Sequence, residues 1–89
     1  MINNGYDLTF EITSEDIASS DDPYEMIQRS LTRSGHVTGM LLLGPVGMAN
    51  MSDGTEKIVA LNRNCLEFIH STNRTPAQLT ITFTAKKFT

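Results

Sequence analysis

Two stretches near the ends of the chain alternate strictly between apolar and polar side chains, and they constrain the fold more than any other feature. Apolar residues occupy every second position from Tyr6 to Ile12 and again from Leu79 to Ala85. Side chains on a β-strand point alternately to its two faces, so this spacing predicts two strands with one buried face each. The opposite faces carry acids and threonines: Asp7, Thr9, Glu11, Thr80, Thr82 and Thr84.

A helix is predicted to begin at the segment DPYE, residues 22–25. Asp22 supplies a side-chain oxygen to the first backbone N–H groups, Pro23 needs no donor at the first helical position, and Glu25 completes a capping box. Gly35 offers the left-handed residue that ends many helices. The predicted core-facing stripe is Tyr24, Ile27 and Leu31. The polar connection 13–21 has room for one further helical turn.

The middle of the chain predicts a strand, a loop and a second helix. Residues 36–43 are apolar on both faces, which is typical of a central strand that is covered on both sides. A glycine-containing loop follows, and Asp53 and Glu56 repeat the D-x-x-E capping pattern ahead of a helix over 54–71. The β-branched pair in EKIVAL leaves a competing interpretation open, namely a short strand followed by a shorter helix.

These elements predict a single α+β domain over residues 1–89. Its order is β-α-β-α-β, a small two-layer arrangement with a three-stranded sheet and two helices on one face. Eighty-nine residues bury only a modest core. We therefore expect a homo-oligomer, most simply a homodimer in which sheet edges of two subunits pair.

Charge is distributed unevenly along the chain. Residues 1–53 carry eight acidic side chains against two arginines, whereas residues 54–89 carry two acidic against five basic ones. The acidic end would repel nucleic acid and attract a basic protein surface. Nucleic-acid binding through the scattered cations Lys57, Arg63, Arg74, Lys86 and Lys87 is accordingly disfavoured. The acidic residues predicted to contact a partner are Glu15, Asp16, Asp21, Asp22 and Glu25.

The segment LLLGPVGMANMSDGTEK, residues 41–57, runs from an apolar stretch through three glycines toward the predicted helix, as phosphate loops do. It lacks the lysine and the in-frame hydroxyl of a P-loop and the G-x-G-x-x-G of a dinucleotide site. The first interpretation is an adaptable apolar contact loop, in which the partner-binding residues are Val46, Met48 and Met51. The alternative is a small-ligand site for a nucleotide or anion, formed by Gly44, Gly47, Ser52, Gly54 and Thr55.

The sequence shows no set of residues that would support catalysis. Cys65 is expected in the core, and neither His36 nor His70 has a partner that would make it a catalytic or metal-binding residue. We predict no enzyme activity, no cofactor, no metal and no membrane insertion. A single cysteine is compatible with the cytoplasm. The leading hypothesis is a small acidic module that inhibits or modulates another protein, of the kind encoded by phages and mobile elements.

Overall fold

The computed structural model describes residues 5–85, which form five β-strands and three α-helices. In chain order the elements are β1 (Tyr6–Ile12), α1 (Ser14–Ser19), α2 (Pro23–Ser34), β2 (Val37–Leu43), β3 (Val46–Met51), β4 (Glu56–Leu61), α3 (Arg63–His70) and β5 (Ala77–Ala85). The strands form one antiparallel, curled sheet in the order β1-β5-β4-β3-β2. The α+β class agrees with the sequence prediction, but the three-stranded sheet with two helices was wrong.

Helix α2 lies across one face of the sheet and contacts both edge strands, β1 and β2. Its apolar stripe is fully buried at Ile27 and Leu31, and the inward residues Ile81 and Phe83 of β5 are equally buried. Helix α3 packs on β4 and β5 at the same core. All the helical cover therefore lies on one side of the sheet, and this follows from the one-sided apolar patterns of β1 and β5.

Helices α1 and α2 begin at residues that favour a helix start, and α2 also ends at a residue that favours a helix end. Asp22 accepts a hydrogen bond from the backbone N–H of Tyr24 at 2.9 Å, and Gly35 ends α2 with a φ of 86°. Glu25 does not return to the cap as predicted, because its carboxylate accepts from the Ser20 hydroxyl at 2.8 Å. The complete capping box belongs to α1, where Thr13 and Asp16 bond to one another's backbone N–H groups.

The glycine-containing stretch is a β-hairpin, and its turn consists only of Gly44 and Pro45. Gly44 has a φ of 85°, and proline cannot adopt a positive φ, so the turn has the glycine-first geometry of type II′. Strand β3 begins immediately afterwards at Val46. The prediction of an irregular loop over this segment was wrong, because VGMANM is poor in the β-branched and aromatic residues that announce a strand.

The helix predicted over 54–71 was also wrong, and the competing interpretation of EKIVAL is confirmed: strand β4 comes first and the shorter helix α3 follows. Asp53 caps no helix. Its carboxylate accepts from the backbone N–H of Thr55 at 2.9 Å and from its hydroxyl at 2.6 Å, within the β3–β4 turn. An aspartate that bonds two residues onward serves a turn as readily as a helix.

Strand β2 is an edge strand, and the prediction that it is central was wrong. Its register with β3 shifts between Val37 and Gly39, so Val37 points inward together with Leu42. Beyond this irregularity Leu41 and Leu43 point outward and are 59% and 75% exposed. The apolar residues on both faces reflect a core on one side and an uncovered surface on the other.

The hairpin depends on glycine at position 47, which gives the first testable prediction. A Cβ on Gly47 would collide with the Leu41 carbonyl oxygen and come within 2.9 Å of the Leu42 Cα, both backbone atoms. We expect Gly47→Ala to lower the free energy of unfolding by about 1–3 kcal/mol. Gly39→Ala is the matched control, since its Cβ would meet nothing within 4 Å. Urea unfolding curves that shift equally for both variants would contradict this packing.

Candidate functional site

An apolar surface covers the hairpin end of the outer face of the sheet, the face opposite the helices. We call it the hairpin patch and define it as Leu41, Leu43, Val46 and Met48. Leu43 lies opposite Val46 and Leu41 opposite Met48 in the β2–β3 register, so the four side chains are immediate neighbours. Val46 is 49% exposed, and Met48 is half-buried. The patch continues over the half-buried Ile58 of β4, which pairs with Met48.

The rest of the outer face is polar. Beyond β4 the outward side chains are threonines and acids, and they bond among themselves: Thr9 to Thr80 at 3.2 Å, and Thr82 to Asp7 at 2.7 Å. Polar groups of this kind suit a surface in contact with water. The outer face therefore has two parts of different chemistry: it is polar over β1 and β5 and apolar at the hairpin end of β2 and β3.

The two edge strands differ in the same way. At the β1 edge the carbonyl oxygen of Glu11 accepts a hydrogen bond from the Ser30 hydroxyl of α2 at 2.7 Å, and Asp7 and Glu11 place charges along the strand. Strand β2, with the sequence VTGMLLL, contains no charged residue and no proline. Charges, prolines and covering elements are the usual protection of an edge strand. Within residues 5–85, no strand pairs with the outer side of β2.

The acidic residues predicted to contact a partner divide into an exposed and a buried set. Glu15, Asp21, Asp22 and Glu25 are exposed around the start of α1 and α2, and we call them the acidic shoulder. Two of them also have local bonds, since Asp22 caps α2 and Glu25 accepts from Ser20. Asp16 is fully buried and cannot reach a partner surface.

Asp16 instead joins α1 to α2. Its carboxylate accepts from Arg29 at 3.1 Å, from both terminal nitrogens of Arg33, one of them at 2.9 Å, and from the backbone N–H of Thr13 at 2.8 Å. Burial would raise the pKa of this carboxyl, but the hydrogen bonds from Arg33 and Thr13 outweigh it and lower the pKa from 3.8 to about 2. The arginine side chains remain nearly half exposed, so they stay hydrated while neutralising the buried charge.

The residues of the predicted contact loop lie on strand β3 and point to different faces. Val46 and Met48 belong to the hairpin patch, whereas Met51 is buried in the core at 7% exposure. The loop prediction therefore found two of the four patch residues and missed Leu41 and Leu43. The signal for these was present in the sequence, because β2 has more apolar residues than one buried face can use.

The residues of the alternative ligand site do not assemble into one cradle. Gly44 lies in the β2–β3 turn, and Ser52, Gly54 and Thr55 lie in the β3–β4 turn at the other end of a six-residue strand, a separation of about 20 Å at the usual rise per residue. The Ser52 hydroxyl donates to the Gly35 carbonyl oxygen. Gly47 is buried on β3, where it pairs with Leu42 of β2.

Reactive side chains are scattered or buried. Cys65 donates to the Thr80 carbonyl oxygen at 3.1 Å, and burial raises the pKa of its thiol from 9.0 to about 11, which keeps it protonated near neutral pH.

No group of three or more histidine, cysteine or acidic side chains in residues 5–85 could hold a metal ion. Lys86 and Lys87 lie outside the described residues. Over that same span, no helix is long and apolar enough to cross a membrane.

Comparison with known proteins finds no matching family model, no similar curated protein and no similar solved structure. The chemistry of the surface is therefore the basis for a functional proposal.

The Asp16 cluster predicts a specific pH dependence of stability. The folded carboxylate stays ionised to about pH 2, whereas in the unfolded chain it takes up a proton near its ordinary pKa of 3.8. The contribution of Asp16 to the free energy of unfolding is therefore present above about pH 4 and is lost as the pH falls toward 2. We expect Asp16→Asn to lower the free energy of unfolding by about 1–3 kcal/mol at neutral pH. The difference from wild type should shrink as the pH falls from 4 to 2.

Asp21→Asn is the control for this measurement, because it removes one exposed acid from the shoulder and no buried bond. Urea unfolding followed by circular dichroism at a series of pH values would give both comparisons. A loss of stability in Asp16→Asn that is the same at pH 2 as at pH 7 would contradict the linkage.

Proposed function

We propose that this chain is a protein-interaction module that inhibits or modulates another protein by binding it through the hairpin patch. One observation carries the proposal: Leu41, Leu43 and Val46 are 59%, 75% and 49% exposed and adjacent, although the remaining large apolar side chains, apart from Tyr6 at 43%, are buried or half-buried in the described chain. Contiguous apolar side chains on a soluble surface cost free energy unless a partner covers them, so such a patch is typical of a contact site.

The position of the patch on two paired strands supports this role. The backbone that carries these side chains is already fixed by the β-ladder, so no backbone ordering is needed on binding and less of the contact energy is lost as conformational entropy. Met48 lies at the inner margin of the patch, beside Leu41 and Ile58. A flexible thioether can adjust to the shape of an apolar partner.

The acidic shoulder would select the partner by charge. Its exposed members Glu15 and Asp21 lie outside the hydrogen-bonded caps of α2 and repel acidic surfaces. Attraction of a basic surface accelerates encounter and weakens as salt is added. The proposed partner is therefore a protein with an apolar contact area and an overall basic charge, which the acidic shoulder attracts during encounter. We propose the cytoplasm as the place of action, where the single thiol stays reduced.

The small-ligand alternative has less support, because its glycines lie in two separate turns. Catalysis also finds little support, since the thiol of Cys65 is buried and bonded within the core.

The proposal predicts that Val46→Lys strongly weakens partner binding. A lysine at the centre of an apolar contact would have to be desolvated without a counter-charge, which we expect to weaken binding at least tenfold. Asn50→Lys is the matched control, since Asn50 lies on the same strand and outer face but outside the patch and is already polar and exposed. Affinity capture with the three proteins, followed by titration of the captured protein in purified form, gives the comparison.

A partner that binds wild type and Asn50→Lys equally and binds Val46→Lys at least tenfold more weakly would support the hairpin patch as the contact site. Equal affinity of all three proteins would overturn it. Thermal unfolding of both variants verifies that each remains folded, as expected for substitutions at exposed strand positions.

A further inference from the structure

We propose that the outer edge of β2 pairs with the same edge of a second copy of this chain, so that two five-stranded sheets join into one. This inference deepens the proposed function and rests on it, because it names a partner for the edge that borders the hairpin patch. It follows from the backbone geometry of the hairpin, the side chains along β2 and the contrast between the two edges.

The hairpin leaves a defined set of backbone groups for a partner. A two-residue turn is closed by a hydrogen-bonded pair, which here is Leu43 with Val46. Hydrogen-bonded and non-hydrogen-bonded pairs alternate along an antiparallel ladder. The N–H and C=O groups of Met40 and Leu42 therefore point to the outer edge. Among the described residues, no strand lies beyond that edge.

A second copy fits these groups about a two-fold axis beside Leu41. Met40 then faces the partner's Leu42, and Leu42 faces the partner's Met40, which gives matched donors and acceptors on both sides. Leu41 lies opposite the partner's Leu41 on the outer face, and Leu43 lies opposite the partner's Gly39. A Cβ placed on Gly39 would meet no atom within 4 Å. The exposed Leu43 side chain of the second copy therefore has room above Gly39.

The charges select β2 over β1 for this pairing. Each copy has a net charge of −3, so contact is least unfavourable where no charged side chain lies on the strand. Residues 37–43 are all uncharged. The same two-fold pairing of β1 about Thr9 would set Asp7 opposite the partner's Glu11, two like charges directly across a ladder. The Ser30 bond to Glu11 also occupies part of the β1 edge.

Pairing at β2 would also enlarge the proposed contact site. The hairpin patch borders the axis, so the two patches become neighbours and form one apolar surface on the joined sheet. A partner protein would then meet twice the contact area on a rigid ten-stranded surface. The predicted homodimer is in this way part of the binding site.

A charge-complementation experiment tests both the contact and its axis. Leu41 is exposed, so Leu41→Lys and Leu41→Glu should each fold normally. In either variant alone, two like charges meet at the axis, and we expect the dimer dissociation constant to rise at least tenfold. An equimolar mixture places opposite charges there and should restore the dimer. Light scattering of the 89-residue chain distinguishes 9.8 kDa from twice that mass.

A second variant reports the register directly. Leu41→Cys should form an intermolecular disulfide on mild oxidation, because a non-hydrogen-bonded pair on the axis has its Cα atoms about 4.5 Å apart, within disulfide range. Leu43→Cys should not, since its two copies lie four positions apart along the ladder. The native Cys65 is buried and does not compete.

The outcomes separate this inference from the proposed function. A wild-type mass of 9.8 kDa at every accessible concentration would overturn the dimer, as would single Leu41 variants that remain dimeric or a mixture that stays monomeric. Val46→Lys lies one strand away from the edge and should keep the dimer mass while it loses the partner protein. If the wild type is monomeric but Val46→Lys still weakens binding of the partner protein, the proposed function stands and only the dimer is overturned.

Discussion

A single layer of helices can cover only one face of a sheet, and most of the structure follows from that limit. Helix α2 spans the inner face from β1 to β2 and, with α3, encloses the core around Ile27, Leu31 and Phe83. The outer face must then be polar or be covered by another molecule. Toward β1 it is polar, with bonded threonines and acids. Toward β2 it is apolar, and there the chain presents the hairpin patch.

The position of α1 against α2 depends in turn on a buried charge. Asp16 completes the capping box of α1, and its carboxylate accepts hydrogen bonds from two arginines of α2, so the two helices are fixed to one another by directional bonds as well as by packing. The sequence places Asp16 in the same predicted exposed acidic site as Glu15 and Asp21, whereas the structure buries it. The other four acids of the predicted partner site, Glu15, Asp21, Asp22 and Glu25, are exposed and form the acidic shoulder on a different part of the molecule from the hairpin patch. Charge selection and apolar contact are therefore separate in space.

The sequence predicts those elements whose signals are local. Strand β1 and helix α2 follow from an alternating pattern and from the Asp22 and Gly35 caps, and β5 follows from its threonine alternation. Strand β3 could not be predicted in this way, because Gly47 and Ala49 have little strand propensity of their own and Gly47 is required by a close approach of the β2 backbone. The exposed Leu41 and Leu43 depend on strand order and on a register shift after Val37, and both are long-range properties.

The central claim is that the outer edge of β2 is unpaired in one chain and paired between two. Hydrogen exchange of the Met40 and Leu42 amides, followed by NMR over a range of protein concentrations, tests this most directly. The account predicts rapid exchange in dilute solution and slow exchange at high concentration, while the Val59 amide in the middle of the sheet stays slow throughout. Rapid exchange of Met40 and Leu42 at every concentration, or slow exchange in a sample whose mass is that of the 9.8 kDa monomer, would contradict it.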